Sequence, residues 1–182
     1  MPVAGIYTNQ GRKYKSELFK LSNTNLSPDE VQGVFWCAIG LGDNTFQDPE
    51  NPPAPESDQI GCKVEKIRKK TSDLKWIFQD ANGLIIFGGV RYSESLTATA
   101  LMLVSWEFDF NEANFTWKEL SFHGGDVTLS VPGDVGVNGI YNASTNPDGE
   151  VTSNGRGVYI LNIPSRDKDP TVKRPVRLLI TF

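Results

Sequence analysis

The sequence predicts a mainly β protein, an antiparallel β-sandwich with one or two short helices near the N-terminus and long loops. Three observations predict it. Apolar residues fall into strand-sized runs, at 34–39, 74–78, 101–108 and 176–182, that alternate or are continuous. Glycine (17) and proline (11) punctuate those runs at short intervals. The chain of 182 residues is long enough for one real core, and no internal repeat or second domain is visible in it. Residues 1–182 therefore read as a single domain, with extended loops at about 40–58 and 142–157.

In chain order, Tyr14, Leu18, Phe19 and Leu21 have helical spacing, so a short surface helix is expected within 5–22. Ser27-Pro-Asp-Glu30 has the form of a capping box, with Gly33 limiting any helix after it to about one turn. Val34–Ile39 is a continuous apolar run between glycines, as in a strand buried on both faces. The stretch 40–56 ends with four prolines in seven residues, which excludes a strand or helix interior and predicts a partly polyproline-like loop. Leu74–Phe78 is strand-like, and Asn82-Gly83 is the strongest hairpin signal before Leu84–Phe87 and the break at Gly88-Gly89.

Residues 99–123 are expected to form a hairpin. Met102, Val104, Trp106, Phe108 and Phe110 share one face of its first strand; Glu107 and Asp109 share the other. Asn111–Asn114 supplies the turn. On the return, Phe115 and Trp117 have one parity and Leu120 and Phe122 the other, which predicts a phase slip near Lys118-Glu119. Shorter strands are expected at 127–131 and 158–163, and 142–157 reads as a mobile loop. Val176, Leu178, Ile180 and Phe182 alternate, so the last strand is expected to be paired inside a sheet.

Composition excludes several classes of function. A net charge of −4 argues against a nucleic-acid binder. No apolar run approaches the roughly 20 residues that span a bilayer, and the N-terminus lacks an apolar signal core. The protein is therefore expected to be made in a cytoplasm, where two buried free thiols are favoured over the one disulfide that Cys37 and Cys62 could form, and the Asn25, Asn114 and Asn142 sequons carry no sugar. One histidine and two distant cysteines cannot form a structural zinc site, and Asp43, Asn44 and Asp48 lack the glycine and glutamate of a calcium loop. No phosphate-binding loop is present. No metal, cofactor or catalytic residue is assigned. His123 reads as a polar residue near a turn, since no nucleophile motif accompanies it. Lys63–Lys70 reads as an amphipathic piece with a solvated basic face.

Three functional readings are open. In the first, the phase slip turns either Phe115 and Trp117 or Leu120 and Phe122 away from the core, and another chain covers them. In the second, exposed rings among Trp36, Trp76, Trp106 and Trp117 stack on sugars, as in a carbohydrate-binding module. In the third, Glu107 and Asp109, about 7 Å apart on a strand face, hydrolyse glycosides, although alternating acids on a strand usually just face water.

The order of motifs bears on this choice. Tyr7-Thr-Asn-Gln-Gly-Arg12, Phe35-Trp-Cys-Ala-Ile-Gly-Leu-Gly-Asp43 with its proline-rich loop, Gln59–Arg68, and the Glu107–Phe110 strand with Phe115–Phe122 succeed one another along the chain. This order resembles the N-terminal module of the phage tail-collar fibre family and small baseplate proteins of contractile-tailed phages. The sequence departs from the pattern in Ser121, where glycine is common, and in lacking, within Gln59–Arg68, the Asn of the family's Asn-Glu pair. It shows no fibre shaft. The resemblance implies a non-enzymatic virion component, made in the host bacterium and present in several copies per particle. It would sit in the tail baseplate as a wedge or fibre adaptor, binding other baseplate or tail-fibre proteins. Phe46, Pro52, Pro53, Phe115 and Trp117 are the expected contacts.

Overall fold

The structure is a computed structural model and describes residues 5–7, 34–96, 99–124, 128–129, 140–142, 151–153 and 156–181. Those residues are mainly β, in antiparallel sheets, with no helix among them. The helix expected after residue 7 and the capping box at 27–30 lie outside the described residues.

The strands are β1 (Gly5–Tyr7), β2 (Val34–Gly40), β3 (Glu65–Lys70), β4 (Asp73–Gln79), β5 (Ile85–Phe87), β6 (Val90–Ser95), β7 (Leu101–Phe108), β8 (Thr116–Gly124), β9 (Thr128–Leu129), β10 (Ile140–Asn142), β11 (Val151–Ser153), β12 (Arg156–Asp167) and β13 (Arg174–Thr181). One sheet has the order β1-β12-β8-β2-β3-β10 and a second the order β13-β7-β4-β6-β5, while β11 and β9 form a small ribbon. Residues 151–153 are thus a paired strand within the stretch read as a mobile loop.

An apolar cluster joins the two large sheets in a sandwich-like arrangement. From β7 come Met102, Val104, Trp106 and Phe108, the face anticipated from alternation; Phe110 lies beyond the strand and is exposed. From the other sheet come Cys37, Ile39, Trp117, Leu120 and Phe122. The ring centroids of Trp106 and Phe122 are 5.0 Å apart, and those of Phe108 and Trp117 are 5.4 Å apart. Such tilted and edge-on contacts add to the stabilisation from apolar burial.

This geometry corrects the expected 99–123 hairpin. β7 pairs with β4 and β13, and β8 pairs with β2 and β12. The 109–115 segment carries the chain from one sheet to the other, so the aromatic rows meet across the core and not along a ladder. The phase slip is present: Trp117 and Leu120 both enter the core, with Glu119 on the opposite face. The β8–β12 register shifts there, between Glu119↔Asn162 and Trp117↔Arg166.

Asn82-Gly83 does not join a hairpin either. β4 pairs with β6, and the two-residue turn is Gly88-Gly89, which joins β5 to β6 with φ of 57° and 81°. Both values lie in the left-handed region that suits glycine and the twist of a tight hairpin. β13 pairs along its whole length with β7, yet it forms a sheet edge and not an interior strand. Phe182 lies outside the described residues.

Candidate functional site

β2 and β8 are neighbours in the middle of the larger sheet, which explains why β2 is so apolar: Trp36, Cys37, Ala38 and Ile39 are all buried. On the face turned away from the core, Gly40, Ala38 and Trp36 lie beside Glu119, Ser121 and His123 of β8. An outward strand face would ordinarily be wet. Here Glu119, Ser121 and His123 are all fully buried, and residues 56–64 cross over them as a strap.

The strap is held by one carboxylate. Glu119 accepts hydrogen bonds from the backbone N–H of Lys63 (3.0 and 3.1 Å) and Gly42 (3.1 Å). It also accepts from Val64 N–H and the Gln59 amide, each at 3.4 Å. Farther along, Ser121 Oγ is 3.2 Å from Cys62 Sγ and 2.8 Å from His123 Nε2. Glycine admits this close approach. A Cβ at Gly157 would lie 2.5 Å from Ile60 O, and one at Gly40 would lie 2.6 Å from Glu119 Oε2. On the solvent side Lys63 pairs with Asp43 (3.1 Å) and Glu56 (2.9 Å).

His123 and Ser121 therefore make contact, but the nearby acid is occupied by the strap's N–H groups and does not orient the imidazole as a triad requires. Burial raises the pKa of Cys62, the direction opposite to that of a reactive thiolate. Burial also raises that of Cys37, which faces the core while Cys62 lies on the other side of β2. Both are free thiols. His123 lies near the end of β8, where a strand end is expected, and is buried there. The sequence gives no sign of this polar row, because polar residues on alternate strand positions normally face water.

The loop before the strap is fixed as well. Asp43 accepts from the N–H and hydroxyl of Thr45, and Asp48 from the N–H of Glu50 and Asn51 and from the Asn51 amide. Ser165 N–H donates to Pro49 O at 2.7 Å, and Asn162 Nδ2 to Pro53 O at 2.8 Å. Among the described residues no three His, Cys, Asp or Glu side chains are grouped as metal ligands.

The five anticipated contact residues separate. Phe46 is 8% exposed and packs over Gly42, and Trp117 is 3% exposed in the core. Pro52, Pro53 and Phe115 are half-buried at the surface. Neither Trp117 nor the pair Leu120 and Phe122 faces outward, because the slip admits both sets to one core. Phe115 lines a 310 Å³ cleft with Leu41, Lys66, Ile67, Ala113 and Asn114. Lys168, itself buried, closes the turn beside it, donating to Asn114 Oδ1 at 2.9 Å and Phe110 O at 3.4 Å.

The remaining candidates resolve into ion pairs. Lys173 Nζ lies 3.1 Å from Glu107 and 3.6 Å from Asp109. The Phe110 N–H, together with Lys173, lowers the Asp109 pKa, whereas a glycosidase acid needs a raised one. The basic run 63–70 is largely neutralised within the chain: Arg68 is fully buried and paired with Glu65, and Lys69 is paired with Glu112. Lys70 sits over the Trp36 ring at 5.2 Å. That corrects its reading as a solvated basic face. No protein-family model matches the chain, and no curated protein sequence does.

Proposed function

We propose that this protein is a structural, non-enzymatic β-sandwich component of a phage tail baseplate, connecting the baseplate wedge to tail fibres through protein–protein contacts. One observation supports the contact role above the others. The 41–64 segment is long and proline-rich, yet it is bound to the sheet along its length by Glu119, Asn162 and Ser165. A loop already held in one shape loses little conformational freedom when a partner docks. Pro52, Pro53 and Phe115 would then form the contacts, with Phe46 and Trp117 stiffening the surface from beneath. The assignment to a tail particle comes from the motif resemblance.

The glycan reading has less support. Sugar stacking needs an open ring face, and Trp36, Trp106 and Trp117 are buried, with Trp76 half-buried. The test is gradient purification of intact tail particles, with mass spectrometry of the purified fraction. The chain should appear there at a fixed ratio to the tail-tube protein. Recovery only from the soluble lysate would remove the baseplate assignment.

A further inference from the structure

The two edges of the five-stranded sheet differ in chemistry. Along the β13 edge stand Arg174, Pro175 and Arg177, residues of the kind that discourage an added strand. Among the described residues the β5 edge has no such protection. Residues 81–90 carry no charge and no proline, Leu84 is 92% exposed and Ile86 is 52% exposed.

Hairpin geometry determines which backbone groups of β5 point outward. Gly88-Gly89 is the turn, so Phe87 and Val90 close it as a hydrogen-bonded pair. Antiparallel pairs alternate, so Ile85 also bonds across to Tyr92, while Ile86, opposite Arg91, turns its N–H and C=O away from β6. These are the groups an incoming strand would use.

We infer that β5 is a dimerisation edge on which a second copy of this chain pairs β5 to β5, antiparallel, about a two-fold axis at Ile86. In that register the two Ile86 residues face each other and exchange both N–H···O bonds. Leu84 of each chain falls opposite Gly88 of the other. A Cβ placed at Gly88 meets nothing within 4 Å, so the most exposed side chain of this edge enters open space on its mate. This large-to-small match, repeated by symmetry, favours a second copy over an unrelated strand. No like charges are opposed along the pair, although each chain carries a net −4. The result is one continuous sheet of ten strands.

Sedimentation velocity on the full chain, up to about 1 mM, tests this. The expected result is a dimer that weakens at least about tenfold in Ile86→Lys and in Leu84→Lys. Arg177→Ala on the opposite edge should leave it unchanged. Leu84 supports little of the fold, so Leu84→Lys remains informative if Ile86→Lys unfolds; circular dichroism checks both. A wild-type chain that stays monomeric throughout, or a dimer that survives Leu84→Lys, overturns the inference.

Discussion

Glu119 shows how much one side chain can organise. It is buried on a strand face that faces out from the core, and its oxygens take up N–H groups from Gly42, Lys63 and Val64. Glu119→Ala would leave those donors without an acceptor in a dry place, a loss of about 3–5 kcal/mol. Glu119→Gln keeps one carbonyl oxygen and loses only the charge-assisted part, about 1–2 kcal/mol. Urea denaturation of both variants checks the ordering, and faster proteolysis within 56–64 would locate the effect. Equal stability of wild type and Glu119→Ala would mean that the strap holds itself down.

At the scale of elements, β7 gives the sharpest contrast, because adjacent residues meet opposite environments. Trp106 is buried against Phe122, and Glu107 is half-exposed beside Lys173. Trp106→Ala is expected to cost about 3–5 kcal/mol. Glu107→Ala should cost less than about 1 kcal/mol, as an exposed ion pair does. Chemical denaturation of the two variants measures the difference, and similar losses would contradict the sheet-to-sheet packing. Much of this architecture was legible from the apolar pattern: alternation gave the buried face of β7 and the slip at Lys118-Glu119, and a continuous apolar run gave the burial of β2. Pairing was not. Periodicity tells which side of a strand is apolar, but not which strand lies beside it, so a turn between two sheets looked like a hairpin. The polar row on β8 was hidden for a related reason. Its cover comes from residues some sixty positions earlier, and nothing local to Glu119, Ser121 or His123 announces it.

For the molecule as a whole, acidity is the condition to vary. The Thr45 hydroxyl, then its N–H and Lys63, bring the Asp43 pKa down to about 2. Hydrogen bonds from the Asn51 amide, the Ser93 hydroxyl and the Thr171 hydroxyl lead the lowering at Asp48, Asp80 and Asp169. Groups lowered in the folded state contribute stability above their unfolded pKa of about 3.9, and that contribution disappears as pH falls through the folded values. Stability should therefore hold at neutral pH and decline from about pH 4 towards pH 2, less steeply in Asp43→Asn. Denaturation curves across that range give the slopes; identical slopes would deny Asp43 a part. The crossing at 109–115 also has a kinetic side. β7 finds β4 close behind it in the chain, but β8 must pair with β2, far upstream, and with β12, still to come. During synthesis β4, β6 and β7 can therefore assemble while the aromatic face of β7 still waits for its cover. Until β8 leaves the ribosome and joins β2, Trp106 and Phe108 would wait without the rings of Phe122 and Trp117 that cover them.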